Sequence, residues 1–370
     1  MNPLAVYVHI PFCPSKCGYC DFNSYAMQGE IVERTARAII REIRESPWAG
    51  RPAKTIFFGG GTPTFIPAPL LVEVLNAVTD THPPLPNAEI TTEANPGTVD
   101  ASKLETLRAG GFNRVSLGAQ SFDDGDLVRL GRVHRAGEIE RAVRAAHEAS
   151  FDNLNLDLMF GLPDQSRAAW RANLARAISL EPEHLSLYCL TIEPNTPFYK
   201  LHLRGELPLP DDEQQVAFYE DCLERAAAAG YEAYEISNFA QPGRECRHNL
   251  CYWRAEEYAG YGPGAVGAVR DPALGVRVRT TNLKHPERYA CAIEAGGPAA
   301  YESEPLDSAT LQTERVMLGL RLAEGIEVDG LDEGALSRLA RRGWIERDTG
   351  RVRLTRAGRL FCNDAVVELI

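Results

Sequence analysis

The chain has 370 residues and a mass of 40.7 kDa, with 44% hydrophobic and 24% charged residues and a mean hydropathy of -0.25, a composition that excludes disorder, collagen and coiled coil. Its 39 Lys and Arg against 51 Asp and Glu leave a formal charge of -12, which disfavours nucleic-acid phosphates or anionic lipid as the main partner. The length predicts two or three units, or one large α/β barrel with attachments.

From the N-terminus to about residue 190, short β-branched or aromatic runs alternate with helical stretches, the pattern of consecutive β/α units around a parallel sheet. Strands are predicted at 5–9, 55–58, 89–94, 114–117, 153–159 and 184–190. Between them, apolar residues at three- and four-residue spacing predict helices at 30–44, 68–78, 102–109, 136–149 and 165–178. Five strand ends in succession are polar or glycine-rich: HIPFC, GGGTPT, EANPG, GAQSFD and GLP. In a parallel barrel these ends converge on one site.

A helix over 211–230 and a strand over 231–236 follow, then a loop region with Gly262, Gly264 and Gly267. Beyond a boundary near 302–307, helices at 310–322 and 334–342 precede a hairpin closed by Asp348–Gly350, which suggests a small winged-helix-like unit. The predicted division is a barrel over 1–200, a continuation over 201–304 and a C-terminal domain over 305–370. Arg338, Arg341, Arg342, Arg347, Arg351, Arg353, Arg356 and Arg359 form a basic cluster in the last of these. Asp332, Glu333, Glu346 and Asp348 are interleaved, so a mixed solvated face is expected rather than a nucleic-acid surface.

The start MNPLAVYVHIPFC lacks the basic region and cleavage site of a secretory signal. The uncharged stretch 55–72 is broken by three glycines and three prolines, so it predicts no membrane span, and the chain reads as cytoplasmic. A reducing compartment makes a disulfide framework unexpected for the nine cysteines. Three of them, Cys13, Cys17 and Cys20, crowd into CPSKCGYC; the others are scattered and read as small buried hydrophobes. Three thiolates are soft ligands suited to iron–sulfur or zinc. Structural zinc wants a fourth ligand at finger-like spacing, and a redox CxxC would leave Cys13 idle. On a [4Fe–4S] cube, three thiolates leave one iron open for a chelating ligand.

The segment Cys13-x3-Cys17-x2-Cys20, with Tyr19 before its last cysteine, resembles the signature of the radical S-adenosylmethionine (SAM) superfamily. That resemblance implies a partial (β/α)6-type TIM barrel whose open iron binds SAM and cleaves it to a 5′-deoxyadenosyl radical. YVHIPFC (7–13), FFGGGTPT (57–64), EANPG (93–97), RVSLGAQSFD (114–123), LGRVH (130–134) and NLDLMFGLP (155–163) extend it to the branch shared by oxygen-independent coproporphyrinogen III dehydrogenases and HemW-type haem chaperones. It implies SAM contacts at Tyr7, Gly60, Gly61, Thr62, Glu93, Gln120, Arg132 and Asp157. Chemically, the amides of Gly60, Gly61 and Thr62 can approach polar groups closely. Glu93, Gln120 and Asp157 suit amine and ribose hydroxyls, and Arg132 offers a fork for a carboxylate. Taken singly, the same acids are equally helix caps and the arginine a surface charge.

Two departures separate the branches. The dehydrogenases resembled here carry a fourth cysteine where this chain has Phe22, and a long N-terminal arm where it has six residues before Tyr7. His248-Asn249-Leu250-Cys251-Tyr252-Trp253 resembles an HNxxYW motif associated with haem. His248 would be the axial ligand, Cys251 a competing one, and Tyr252 and Trp253 flat apolar surface. A core histidine with two packing aromatics is the structural alternative. The expectation is a haem carrier with a haem-accepting apoprotein as partner, such as a membrane-associated respiratory enzyme, and with radical chemistry on porphyrin absent or vestigial. The alternatives are an oxygen-independent coproporphyrinogen III dehydrogenase or a radical SAM enzyme acting on another substrate.

Overall fold

A computed structural model describes residues 2–370. Six strands, β1 (Leu4–Ile10), β2 (Ala53–Gly60), β3 (Pro84–Ala94), β4 (Arg114–Gln120), β5 (Leu154–Phe160) and β6 (His184–Cys189), pair in parallel in chain order. The connections carry α1 (Glu30–Arg44), α2 (Ala68–Thr81), α3 (Ala101–Ala109), α4 (Asp124–Leu130), α5 (Ala136–Glu148) and α6 (Arg167–Ile178). Helix α1 spans the range its periodicity predicts. It buries Val32, Ala36, Ile39, Ile40 and Ile43, and places Glu30 and Glu33 in its first turn and Arg41 and Arg44 in its last, as the helix dipole favours. Asp100, Asp123 and Ser166 cap the N-termini of α3, α4 and α6 through their side chains.

Along each strand alternate residues divide between two environments. Val6, Val8, Ile56, Phe58, Val115, Leu117, Leu156, Leu158, Leu185 and Leu187 join the helices in the apolar core. Their neighbours, including Tyr7, His9, Thr55, Phe57, Glu89, Glu93, Ser116, Asn155, Asp157, His184 and Ser186, face the barrel interior. Parallel strands covered on both faces are usually apolar throughout; here the interior is polar because it houses a site.

The chain departs from expectation after residue 230. The helix over 211–230 is α8 (Asp212–Ala228), preceded by α7 (Pro197–Leu203), but the strand at 231–236 is only β7 (Glu232–Ala233). The chain then bends, and β8 (Asn238–Ala240) returns antiparallel to β6. Glu235 causes the bend: fully buried, its carboxylate accepts from the Ser237 amide (2.7 Å) and Asn238 Nδ2 (2.6 Å) and pairs with Arg321.

The predicted loop region holds α9 (Arg247–Trp253), β9 (Tyr258–Tyr261), β10 (Val266–Arg270), β11 (Arg277–Asn282), α10 (Pro286–Glu294) and β12 (Ala300–Leu306). Strand β9 pairs in parallel with the free side of β1, and β10, β11 and β12 extend the sheet antiparallel. Its glycine content hid it: a Cβ on Gly260 would lie 2.1 Å from the Val266 carbonyl oxygen, so the tight return to β10 demands glycine.

The last segment contains α11 (Ser308–Gly319), β13 (Ile326–Glu327), α12 (Glu333–Arg341), the predicted hairpin as β14 (Ile345–Asp348) and β15 (Arg351–Leu354), and α13 (Cys362–Leu369). It has its own apolar cluster around Val316, Leu320, Leu336, Leu339, Ile345 and Val352. Five of its arginines meet carboxylates: Arg338 and Arg342 on Glu368, Arg347 on Glu333, Arg353 on Glu346 and Arg356 on Glu224. No helix among the described residues is long and apolar enough to cross a membrane.

Glu42 of α1 ties the added strands to the barrel. It accepts from the Gly262 amide (2.8 Å), Asn282 Nδ2 (2.7 Å) and the Tyr289 hydroxyl. Glu42→Ala strands three donors, so chemical denaturation of this variant is expected to show a loss of about 3 kcal/mol, whereas Glu42→Gln, which keeps an acceptor, should lose less.

Candidate functional site

The C-terminal ends of the six parallel strands surround a cavity of about 320 Å³. Its wall includes Cys13, Cys17 and Cys20 from the loop after β1, Gly60, Gly61 and Thr62 after β2, Glu93 of β3, Gln120 of β4, Asp157 of β5, and Arg132. Ten of the residues singled out in the sequence therefore share one site. Tyr7 does not line it. Its hydroxyl donates to His9 Nδ1 (3.0 Å), which leaves His9 Nε2–H to donate to the Asn23 carbonyl (2.9 Å).

This relay pins the cysteine loop. Asn23 Nδ2 donates to the carbonyls of Pro263 (2.9 Å) and Lys284 (3.1 Å), and the Cys13 amide donates to Tyr25 (3.0 Å). On the other side the Gly18 amide donates to Leu130 (3.1 Å) and the Gly18 carbonyl accepts from Phe198 (2.9 Å). Cys13 Sγ lies 3.5 Å from the Thr62 hydroxyl, and Arg132 Nη1 lies 3.7 Å from Cys17 Sγ. Burial pushes the thiols of Cys13 and Cys20 up. Among the described residues no three His, Cys, Asp or Glu side chains close around a single point. A cubane does not ask them to, since each thiolate takes a different iron.

The glycine turn works differently from expectation. The Gly61 amide donates to the Ile10 carbonyl (2.8 Å), the Thr62 amide to Phe12 (2.7 Å) and the Gly60 amide to Glu93 Oε2 (3.3 Å), so none of the three donors is left for a ligand. Glycine is required at 61 by the crossing of two chains: a Cβ there would lie 2.6 Å from the Phe12 carbonyl oxygen. The cavity instead offers acceptors. Asn155 Nδ2 (2.7 Å) and Ser116 Oγ (3.2 Å) orient the Asp157 carboxylate, and His184 Nδ1 in turn holds Asn155 Oδ1 (2.6 Å). Burial first, and then Asp157, pushes the Glu93 carboxyl up to about 8. Two enclosed carboxyls suit the amine and ribose hydroxyls of SAM, whose sulfonium makes the ligand cationic. Arg132 suits its carboxylate: Nη2 is spent on the Gly118 carbonyl (2.7 Å), but the buried Nε has no partner. Gln120 holds φ at +66°, a left-handed conformation uncommon outside glycine and frequent at binding sites.

The HNLCYW stretch is not at the cavity. Helix α9 enters the opposite end of the barrel, with the Glu89 carboxylate accepting from the amides of Arg247 (3.1 Å) and His248 (3.0 Å). His248 is 1% exposed; Nδ1 bonds Thr55 Oγ1 (2.8 Å) and Nε2 bonds the Tyr252 hydroxyl (3.0 Å), so neither nitrogen is presented to an iron in this conformation. Trp253 lies under Arg321, 4.7 Å from its ring centre, and the buried Cys251 thiol donates to the Arg247 carbonyl. Sequence reasoning missed His9, Asn23, Ser116, Asn155 and His184, which hold the site from behind. For the four on strands, all but Asn23, the signal was polar residues at alternate positions of otherwise apolar strands.

Residues 7–176 match the Radical SAM superfamily and residues 306–361 the HemN C-terminal domain. "Heme chaperone HemW" of Bacillus subtilis is 37% identical, with 97% of each chain covered. The chain belongs to the HemW family of radical SAM proteins. The HemW of Escherichia coli is 44% identical over 78% of this chain and 76% of its own length. Coproporphyrinogen III oxidase (HemN) of Escherichia coli shares the fold at 23% identity, with a TM-score of 0.84 over 99% of this chain and 90% of that one. HemW family membership implies a [4Fe–4S] cluster and SAM, and the thiols, the paired carboxyls and the unspent Arg132 Nε fit both.

A cationic ligand favours ionised Glu93, so binding below pH 8 must release its proton. Calorimetric titration with SAM is therefore expected to show affinity rising between pH 6.5 and 8, by up to about tenfold per unit, and flattening above; Glu93→Gln should remove the rise.

Proposed function

We propose that this chain binds haem and hands it to an apoprotein, carrying a [4Fe–4S] cluster on Cys13, Cys17 and Cys20 with SAM on the fourth iron. The observation that carries this reading is full-length similarity to a haem chaperone, with 97% of each chain covered. Phe22 supports it. It stands 63% exposed at the cavity rim where the dehydrogenase pattern has a fourth cysteine, and it offers apolar surface in place of a thiolate. Tyr188 and Met159 add apolar wall to the same cavity.

When bound, the cluster and SAM would supply one-electron chemistry. The residues of this chain would bind and orient: Glu93 and Asp157 would hold the amine and ribose, Arg132 the carboxylate, and Gln120 would close the wall. Haem is cargo, so its iron bond must be breakable. Ligation by His248 would require one nitrogen of the buried imidazole to leave its partner, Thr55 or Tyr252. The acceptor proposed is an apoprotein that uses haem, a membrane-associated respiratory enzyme among the candidates, and the compartment is the cytoplasm. The intact cradle and the fold shared with coproporphyrinogen III oxidase favour radical decarboxylation as the second reading.

The test is anaerobic reconstitution followed by two assays. Haem titration should saturate with a stable Soret band, and incubation with SAM, reductant and coproporphyrinogen III should yield no protoporphyrinogen IX. Appearance of that product would establish the second reading instead. Cys17→Ser should lose most of the broad iron–sulfur absorbance; a full cluster in that variant would remove Cys17 from the ligand set.

A further inference from the structure

The barrel interior is filled in layers, as in closed β/α barrels. Its floor is Thr55 of β2, Glu89 of β3 and the His248 imidazole delivered by α9. Above lie Phe57 and Tyr7, and above these Gly59 and His9 beside Gly60 and Glu93, the last two lining the cavity. His248 stacks on Phe57, with ring centres 5.0 Å apart and planes 22° apart. Phe57 is also stacked with Tyr7 at 6.3 Å. Phe57 leaves no slack above it: a Cβ placed on Gly59 would lie 2.9 Å from its ring and 3.0 Å from the Glu93 carboxylate. Gly60 is as tightly set against His9, whose ring a Cβ there would meet at 2.4 Å.

The imidazole is clamped from every side. Thr55 and Tyr252 take its two nitrogens, the Tyr252 ring meets it edge-on at 4.9 Å, and the Glu89 carboxylate fixes the backbone that delivers it. Such a group transmits position, because close-packed interiors pass displacement on rather than absorb it.

We propose that His248 is a positioning residue of the SAM cradle, acting through Phe57 on Gly59, Gly60 and Glu93, and that the HNLCYW stretch is the floor of the cofactor site rather than the seat of haem. The proposal rests on the reading that the cavity takes SAM, and the wild-type protein tests that separately: failure of the reconstituted wild type to bind SAM sinks the reading itself.

The experiment uses the reconstituted full chain and measures SAM affinity, haem uptake with its Soret position, and thermal stability for wild type, His248→Ala, Phe57→Leu and the double variant. His248→Ala is expected to weaken SAM about tenfold, in the range seen when groups behind a bound centre are removed, with haem stoichiometry and Soret position unchanged. Because His248 acts through Phe57, the double variant should be no weaker for SAM than Phe57→Leu alone; additive losses would overturn that route. A merely structural histidine would lower the melting temperature and leave SAM affinity at the wild-type value, which overturns the proposal. Loss or displacement of the Soret band with SAM binding intact would make His248 an axial ligand and overturn it as well.

Should His248→Ala fail to fold, Tyr252→Phe puts the same question, since it keeps the packing ring but strips the partner from Nε2. Weaker SAM binding supports positioning. Tighter haem binding through the freed nitrogen, or unchanged SAM affinity, overturns it.

Discussion

Polar groups inside a barrel must find partners, because a buried carboxyl or imidazole without hydrogen bonds costs several kcal/mol. Most of the molecule's organisation follows from that constraint. Tyr7, His9 and Asn23 form one chain of donors and acceptors, His184, Asn155 and Asp157 a second, and Thr55, His248 and Tyr252 a third. Each begins at a strand, and they end on the cysteine loop, on the cavity and on α9 respectively. The barrel therefore holds its cysteine loop, its cradle and its floor by satisfying its own interior.

Enclosed charged groups mark the site. Glu93 and Asp157 are two carboxyls enclosed side by side, and burial raises both. Arg132 keeps a buried Nε without an acceptor. A zwitterionic ligand bearing a sulfonium would supply the cation and the carboxylate that these groups lack. The same logic argues against His248 as a waiting metal ligand, because Thr55 and Tyr252 already engage both of its nitrogens.

Much of this was legible in the residues. The six β/α units follow from local period, the hairpin at 345–354 from its turn residues, and convergence of the five decorated strand ends from barrel topology. What escaped were elements whose residues are dictated by distant partners. Strand β9 is four residues long and contains Gly260 because Val266 crosses it; the expected strand at 231–236 is broken because Glu235 bends the chain to satisfy itself. The amides of Gly60, Gly61 and Thr62 looked available because glycine permits close approach, but Gly61 and Thr62 approach the chain's own backbone and Gly60 the Glu93 carboxylate.

The sequence by itself determined the chemistry: three thiols after a first strand, two carboxyls and a glutamine at later strand ends, an arginine just beyond α4, and a phenylalanine where a related pattern has a fourth cysteine. Side-chain type and local period are properties of the chain, so they survive without coordinates. The tertiary structure alone decided which donors are already spent, which carboxyls are enclosed together, and that the HNLCYW histidine faces the barrel floor. Those facts depend on contacts between residues up to about two hundred positions apart, such as Thr55 with His248, and no local pattern encodes the partner.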